Sequence, residues 1–144
     1  MSGVAARIIR RVLVVDDDPA LRSAVADQLE AYGLEPMLAA DGTEALVLLA
    51  KGPRPATILL DVLMPRMSGR DFVARLRRIS RLTRIPIVIM TGLTPRVPLP
   101  RVDELLAKPF SAEELRATLV RVGALPPRKV RSRFGKAASH LAGS

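Results

Sequence analysis

Unbroken apolar runs constrain this chain more than any other feature. Residues 12–15 read VLVV, 57–60 read TILL and 85–90 read IPIVIM. A strand with one wet face alternates apolar and polar residues. A continuous run is instead expected of a strand covered on both faces, the situation of a parallel sheet wound by helices. The intervening segments supply those helices. Asp18-Pro19 gives an N-cap and a first-turn proline, and Leu21, Val25, Leu29 and Tyr32 form a helical stripe that stops at Gly33. Residues 36–40 make a short second strand. Asp41-Gly42 then opens a helix bearing Ala45, Leu46, Leu48 and Leu49, which ends at Lys51-Gly52-Pro53. After the third strand a loop over 61–69 leads to a helix with Phe72, Val73, Leu76 and Ile79. Residues 105–107 form a fifth strand. Ser111 and Glu114 have capping-box spacing for a last helix bearing Leu115, Leu119 and Val122.

This alternation of strand and helix predicts a mostly parallel sheet with right-handed crossovers and helices on both faces. At 144 residues the chain has the length of one domain. Function classes narrow quickly. There is no cysteine, which removes disulfides, thiolate metal sites and thiol catalysis. The one histidine, His140, lies in a polar tail, which argues against a Ser-His-Asp triad or a multi-histidine zinc site. No apolar stretch approaches the roughly 20 residues of a membrane helix. The N-terminus also lacks the pattern of a signal peptide, so a cytoplasmic location without membrane contact is expected.

The net charge of +9 is unevenly spread. Arg7, Arg10 and Arg11 near one end, and Arg128, Lys129, Arg131, Arg133 and Lys136 near the other, account for eight of the 23 basic residues. The body between is close to neutral. Within it Arg66, Arg70, Arg75, Arg77, Arg78, Arg81 and Arg84 cluster against a single acid, Asp71. They are read as the solvated face of one helix rather than a binding patch.

In doubly wound sheets functional groups collect at the carboxyl ends of the strands. Here those ends carry Asp16 and Asp17, then Asp61, Thr91 and Lys108. Converging carboxylates repel unless a hard divalent cation neutralises them. A Mg²⁺ site beside an amine and a hydroxyl suits a phosphoryl group. Asp18 is read as a helix cap and not a third ligand, and Met64, Met67 and Met90 as packing residues.

Four segments in order, VVDDDP at 14–19, DVLMPRMSG at 61–69, TG at 91–92 and KPF at 108–110, resemble the bacterial response-regulator receiver domain. The resemblance covers about residues 10–123, leaving a basic arm at 1–9 and a basic flexible tail at 124–144. The chain is then a single-domain receiver or one cut from a longer protein. The resemblance implies a flavodoxin-like doubly wound sheet of five parallel strands in the order 2-1-3-4-5. It implies that Asp61 accepts a phosphoryl group from a sensor histidine kinase or histidine phosphotransfer protein, in a signalling module rather than an enzyme. Asp16, Asp17, Asp61 and the backbone carbonyl of Leu63 would hold Mg²⁺. Lys108 would pair with the carboxylate and then with the phosphoryl oxygens, Thr91 would close on the phosphoryl group, and a cis peptide would precede Pro109. A downstream protein target is expected; nucleic acid is not.

Departures from the family carry expectations of their own. Leu63 and Leu93, two residues past Asp61 and Thr91, are apolar where receivers often place water-orienting groups, which predicts slow self-dephosphorylation. Pro95, Pro98 and Pro100 predict a mobile loop or single turn over 92–102 in place of the helix between the fourth and fifth strands. The family's switch aromatic is replaced by Leu105, so partners are expected elsewhere, at the first or last helix or the basic tail. Two other readings compete. Asp16-x-Asp18 also resembles haloacid-dehalogenase phosphatases, with Asp16 as nucleophile, but that reading leaves Asp61 without a role. The basic tails alone would make a generic polyanion binder.

Overall fold

A computed structural model describes residues 9–63, 66–92 and 102–128. In chain order these form β1 (Arg11–Val15), α1 (Pro19–Ala31), β2 (Glu35–Ala39), α2 (Gly42–Lys51), β3 (Thr57–Asp61), α3 (Gly69–Leu76) and a 3-10 turn (Ser80–Leu82). They continue with β4 (Ile87–Thr91), β5 (Glu104–Ala107) and α4 (Ala112–Arg121). The five strands are all parallel and lie in the order β2-β1-β3-β4-β5. The flavodoxin-like topology expected from the sequence is therefore present.

Strand side chains alternate across the sheet and build two cores. Leu13, Val15, Ile58, Leu60, Ile87 and Ile89 pack with Ala45 and Leu49 of α2 and Phe72 and Leu76 of α3. Val12, Val14, Leu59, Val88, Met90 and Leu106 pack on the other face with Val25 and Leu29 of α1 and Leu115 and Leu119 of α4. Each such Val, Leu, Ile, Met or Phe side chain contributes about 1.5–3 kcal/mol by leaving water, so the two-sided burial explains why the runs never alternate. Packing continues past the last helix, because Ala124 and Leu125 are buried in the second core.

The helix signals act as expected. Asp18 caps α1 by accepting from the Ala20 and Leu21 N–H groups, Asp41 caps α2 through Glu44, and Ser111 and Glu114 form a reciprocal capping box on α4. Gly33 follows α1 with φ +82°, a conformation that side chains resist. Lys108-Pro109 is cis.

Some boundaries move. The fourth strand starts at Ile87, because Pro86 has no N–H for the ladder. Pro86 instead receives Ile58 N–H and the Thr57 hydroxyl on its carbonyl. Ile79 falls outside α3 and is exposed, since the helix stops at Leu76. The arginine cluster is not one solvated helical face. Arg77 Nη1 donates to the carbonyls of Thr83 and Ile85 at 2.6 and 2.9 Å, Arg81 Nη2 donates to Leu49 O, and Arg66 pairs with Asp41. Of the seven only Arg77 is largely buried; Arg66 and Arg81 make these contacts while still exposed, and Arg70, Arg75, Arg78 and Arg84 are exposed as expected. The proline loop at 93–101, Leu93 included, Met64-Pro65, and the basic ends at 1–8 and 129–144 lie outside the described residues.

Candidate functional site

The sheet register brings the candidate residues together. Val15 pairs with Leu60 and Asp61 with Met90, so the acids after β1 and at the end of β3 come level beside Thr91 at the end of β4. Thr91 pairs with Ala107, and Lys108 N–H donates to Thr91 O at 2.9 Å, which sets the lysine next in line. Oxygens of Asp16, Asp17 and Asp61 lie within 4.8 Å of one another, with Asp16 and Asp61 buried and Asp17 exposed.

Each buried acid has assigned partners. Asp16 Oδ2 receives Lys108 Nζ at 2.8 Å, and its Oδ1 receives the Asp18 N–H at 2.9 Å. Asp61 Oδ1 receives the Leu63 N–H at 3.1 Å, and its Oδ2 lies 3.8 Å from Lys108 Nζ. The ammonium is thus closer to Asp16, leaving Asp61 more free for chemistry. Burial pushes the Asp61 carboxyl above its ordinary value, against the Leu63 hydrogen bond; Asp16 and Asp17 add to the rise and Lys108 opposes it. The donor set is wholly hard oxygen, crowded with like charge and open at Asp17. It fits a divalent cation such as Mg²⁺, which takes carboxylate oxygens and keeps several waters.

Sequence reasoning missed two contacts. Arg22 Nη1 donates to the Asp16 carbonyl at 2.8 Å, anchoring the β1–α1 turn from the first turn of the helix. Arg66 pairs with Asp41, the N-cap of α2. The first is a local contact across one turn that no helix or strand periodicity marks, and the second is created by topology. Asp18 is committed to its cap, accepting from Ala20 N–H at 3.0 Å and Leu21 N–H at 3.3 Å. The dehalogenase reading still leaves Asp61, which the fold places in the acidic cluster, without a role.

Fold and site together define a doubly wound α/β module with a cation-competent acidic cluster at the carboxyl edge of its sheet. Residues 12–120 match the model of the response regulator receiver domain, and the chain belongs to that family, the receiver module of two-component signalling. It is 40% identical over 114 residues to the response regulator MprA of Mycobacterium sp. (strain KMS), covering 76% of this chain and 48% of that regulator. The chain thus spans about half the length of such relatives. Among solved structures, the chemotaxis response regulator CheY4 of Vibrio cholerae matches with a TM-score of 0.75 and 37% identity, covering 80% of this chain and 99% of the other. The response regulator TrrA of Thermotoga maritima, solved in complex with Mg²⁺-BeF, matches with a TM-score of 0.71 and 29% identity over 79% of this chain and 99% of its own. Among the described residues no helix is long and apolar enough to cross a membrane.

Proposed function

We propose that this receiver takes a phosphoryl group on Asp61 from a phosphohistidine of a sensor kinase or phosphotransfer protein. The observation that carries the reading is the convergence of Asp16, Asp17 and Asp61 within 4.8 Å beside Lys108. An Asp61 carboxylate oxygen attacks phosphorus, the phosphorus–nitrogen bond of the donor breaks with its electron pair returning to the imidazole, and an acyl phosphate forms. Asp16, Asp17, Asp61 and the Leu63 carbonyl would hold Mg²⁺, which when bound offsets charge on the phosphoryl oxygens. Lys108 follows the charge from carboxylate to phosphoryl oxygen, and the Thr91 hydroxyl donates a hydrogen bond to it. That TrrA was solved in complex with Mg²⁺-BeF supports a divalent cation at this cluster. A downstream protein then reads the phosphorylated state.

The test is intact-mass measurement after incubation with Mg²⁺ and acetyl phosphate. One phosphoryl group should be gained, and Asp61→Asn or chelation of the metal should abolish the gain. Asp17→Asn should slow it. If Asp61→Asn still gained the mass while Asp16→Asn did not, the acceptor assignment would be wrong.

A further inference from the structure

Asp41 is a buried carboxylate that the phosphoacceptor cluster does not use. Its Oδ1 accepts from Glu44 N–H at 2.9 Å and caps α2. A cap needs only that oxygen. The other, Oδ2, faces the Arg66 guanidinium, which reaches it from the loop that follows Asp61. Arg66 has φ +69°, the only positive φ among the described residues that are not glycine. Such a backbone state persists when surrounding contacts over-determine it. Beside it, Met67 rests on the α2 start: a Cβ placed on Gly42 would meet Met67 Sδ at 2.9 Å. The rear of the loop is therefore seated on the first turn of α2 at two adjacent residues.

The front of the same loop carries Leu63, whose N–H donates to Asp61 Oδ1. Three residue steps separate Leu63 from Arg66, so the two anchors can lie at most about 11 Å apart, and fixing one restricts the other. We propose that Arg66, through its ion pair with Asp41, is a positioning residue that holds the Leu63 backbone where the cation and the acceptor need it. This rests on the cation assignment made above. Arg66 touches no reacting group; it acts through the loop.

Four variants separate the ion pair from the backbone state. Arg66→Ala removes the pair and keeps the strained position. Arg66→Gly removes the pair and relieves the position. Arg66→Lys keeps a cation. Asp41→Asn retains the cap, because Asn caps as well as Asp, and removes the charge. Mg²⁺ affinity by calorimetry and Leu63 amide exchange without metal are the readouts, with thermal midpoint alongside. Arg66→Ala, Arg66→Gly and Asp41→Asn should each weaken Mg²⁺ binding about tenfold, the effect typical of losing a group that orients a ligand, and speed Leu63 exchange. Arg66→Lys should hold both near wild type. The proposal is overturned if Arg66→Ala lowers only the midpoint, leaving affinity and Leu63 exchange unchanged, or if Arg66→Gly behaves as wild type. If the wild-type protein takes up no Mg²⁺, the cation assignment fails. Leu63 exchange in the same variants still decides the positioning role.

Discussion

Lys108 is the fixed cation of a site built to receive a mobile one, and Lys108→Met separates the two. Its ammonium lies 2.8 Å from Asp16 Oδ2 and 3.8 Å from Asp61 Oδ2, with Asp16 fully buried and the lysine side chain about one-quarter exposed. At an effective dielectric constant near 20 these separations correspond to attractions of about 6 and about 4 kcal/mol. Desolvation of the ammonium offsets much of that sum. Removing one partner of a buried pair leaves the other charge uncompensated, a change that costs about 3–5 kcal/mol. The exposed quarter of the lysine places the expected loss at the low end, about 3 kcal/mol, or a fall of about 10 °C in thermal midpoint for a domain of this size.

The magnitude holds only without divalent cation. Met at 108 no longer repels a cation from the carboxylates, so Mg²⁺ should bind the variant more tightly than the wild type. By linkage, saturating Mg²⁺ should then return about 1 kcal/mol more stability to the variant than it adds to the wild type. Phosphorylation should nevertheless slow, because the phosphoryl oxygens lose their ammonium partner. Urea denaturation, which leaves electrostatics unscreened, measured with EDTA and again with Mg²⁺, reads both quantities. A loss below about 1 kcal/mol in EDTA would show that Lys108 does not compensate Asp16, contrary to the buried-pair argument. An equal Mg²⁺ gain in both proteins would show that lysine and cation do not share the same carboxylates.

Two other outcomes follow from the same geometry. The raised Asp61 pKa means that the native state holds this proton more tightly than the unfolded chain does. Its contribution therefore favours folding at the acid end and is lost as pH rises from the ordinary value of 3.8 through the folded value. In metal-free buffer, Asp61→Asn should thus be more stable than wild type at pH 7, with the gap closing as pH falls toward 3.8; a gap independent of pH would contradict the assigned burial effect. Leu63 is 66% exposed and apolar beside the acceptor. Leu63→Asn should shorten the lifetime of the acyl phosphate several-fold, followed by loss of the added mass over time, and an unchanged decay would remove the water-orienting argument.

Strand existence, order of elements and caps were legible because each rests on a local cause. The apolar runs report two-sided burial, and Asp18, Asp41 and Ser111 report orphan N–H groups at helix starts. The acidic cluster was legible for a different reason. Once parallel strands are assumed, every strand's carboxyl end falls on one edge, and Asp16, Asp17, Asp61, Thr91 and Lys108 must meet there. What escaped was pairing across topology. That Lys108 sits nearer Asp16 than Asp61 depends on side-chain reach between elements far apart in sequence, and that Arg22 anchors the Asp16 carbonyl depends on how the β1–α1 turn folds back, six residues away.

The arginines make that limit concrete. Seven of them between 66 and 84 look like one solvated stripe when only helical spacing is available. The helix ends at Leu76, and the chain returns from α3 to β4 through a short 3-10 turn at 80–82 and a link whose carbonyls at Thr83 and Ile85 lie outside helix and strand. Arg77, with only 7% of its side chain exposed, donates to two of those carbonyls and lies 3.7 Å from Asp103, which itself receives Ile87 N–H at 2.8 Å. A guanidinium suits this place because its planar fork carries several donors at once and it remains charged when largely buried. The carbonyls that need such a donor belong to residues 83 and 85, which are six and eight positions further on. No periodicity in the sequence marks that distance. A cation ties a loop again where Arg66, exposed and on the loop after Asp61, pairs with the Asp41 carboxylate 25 positions back. There the loop being tied carries the functional site.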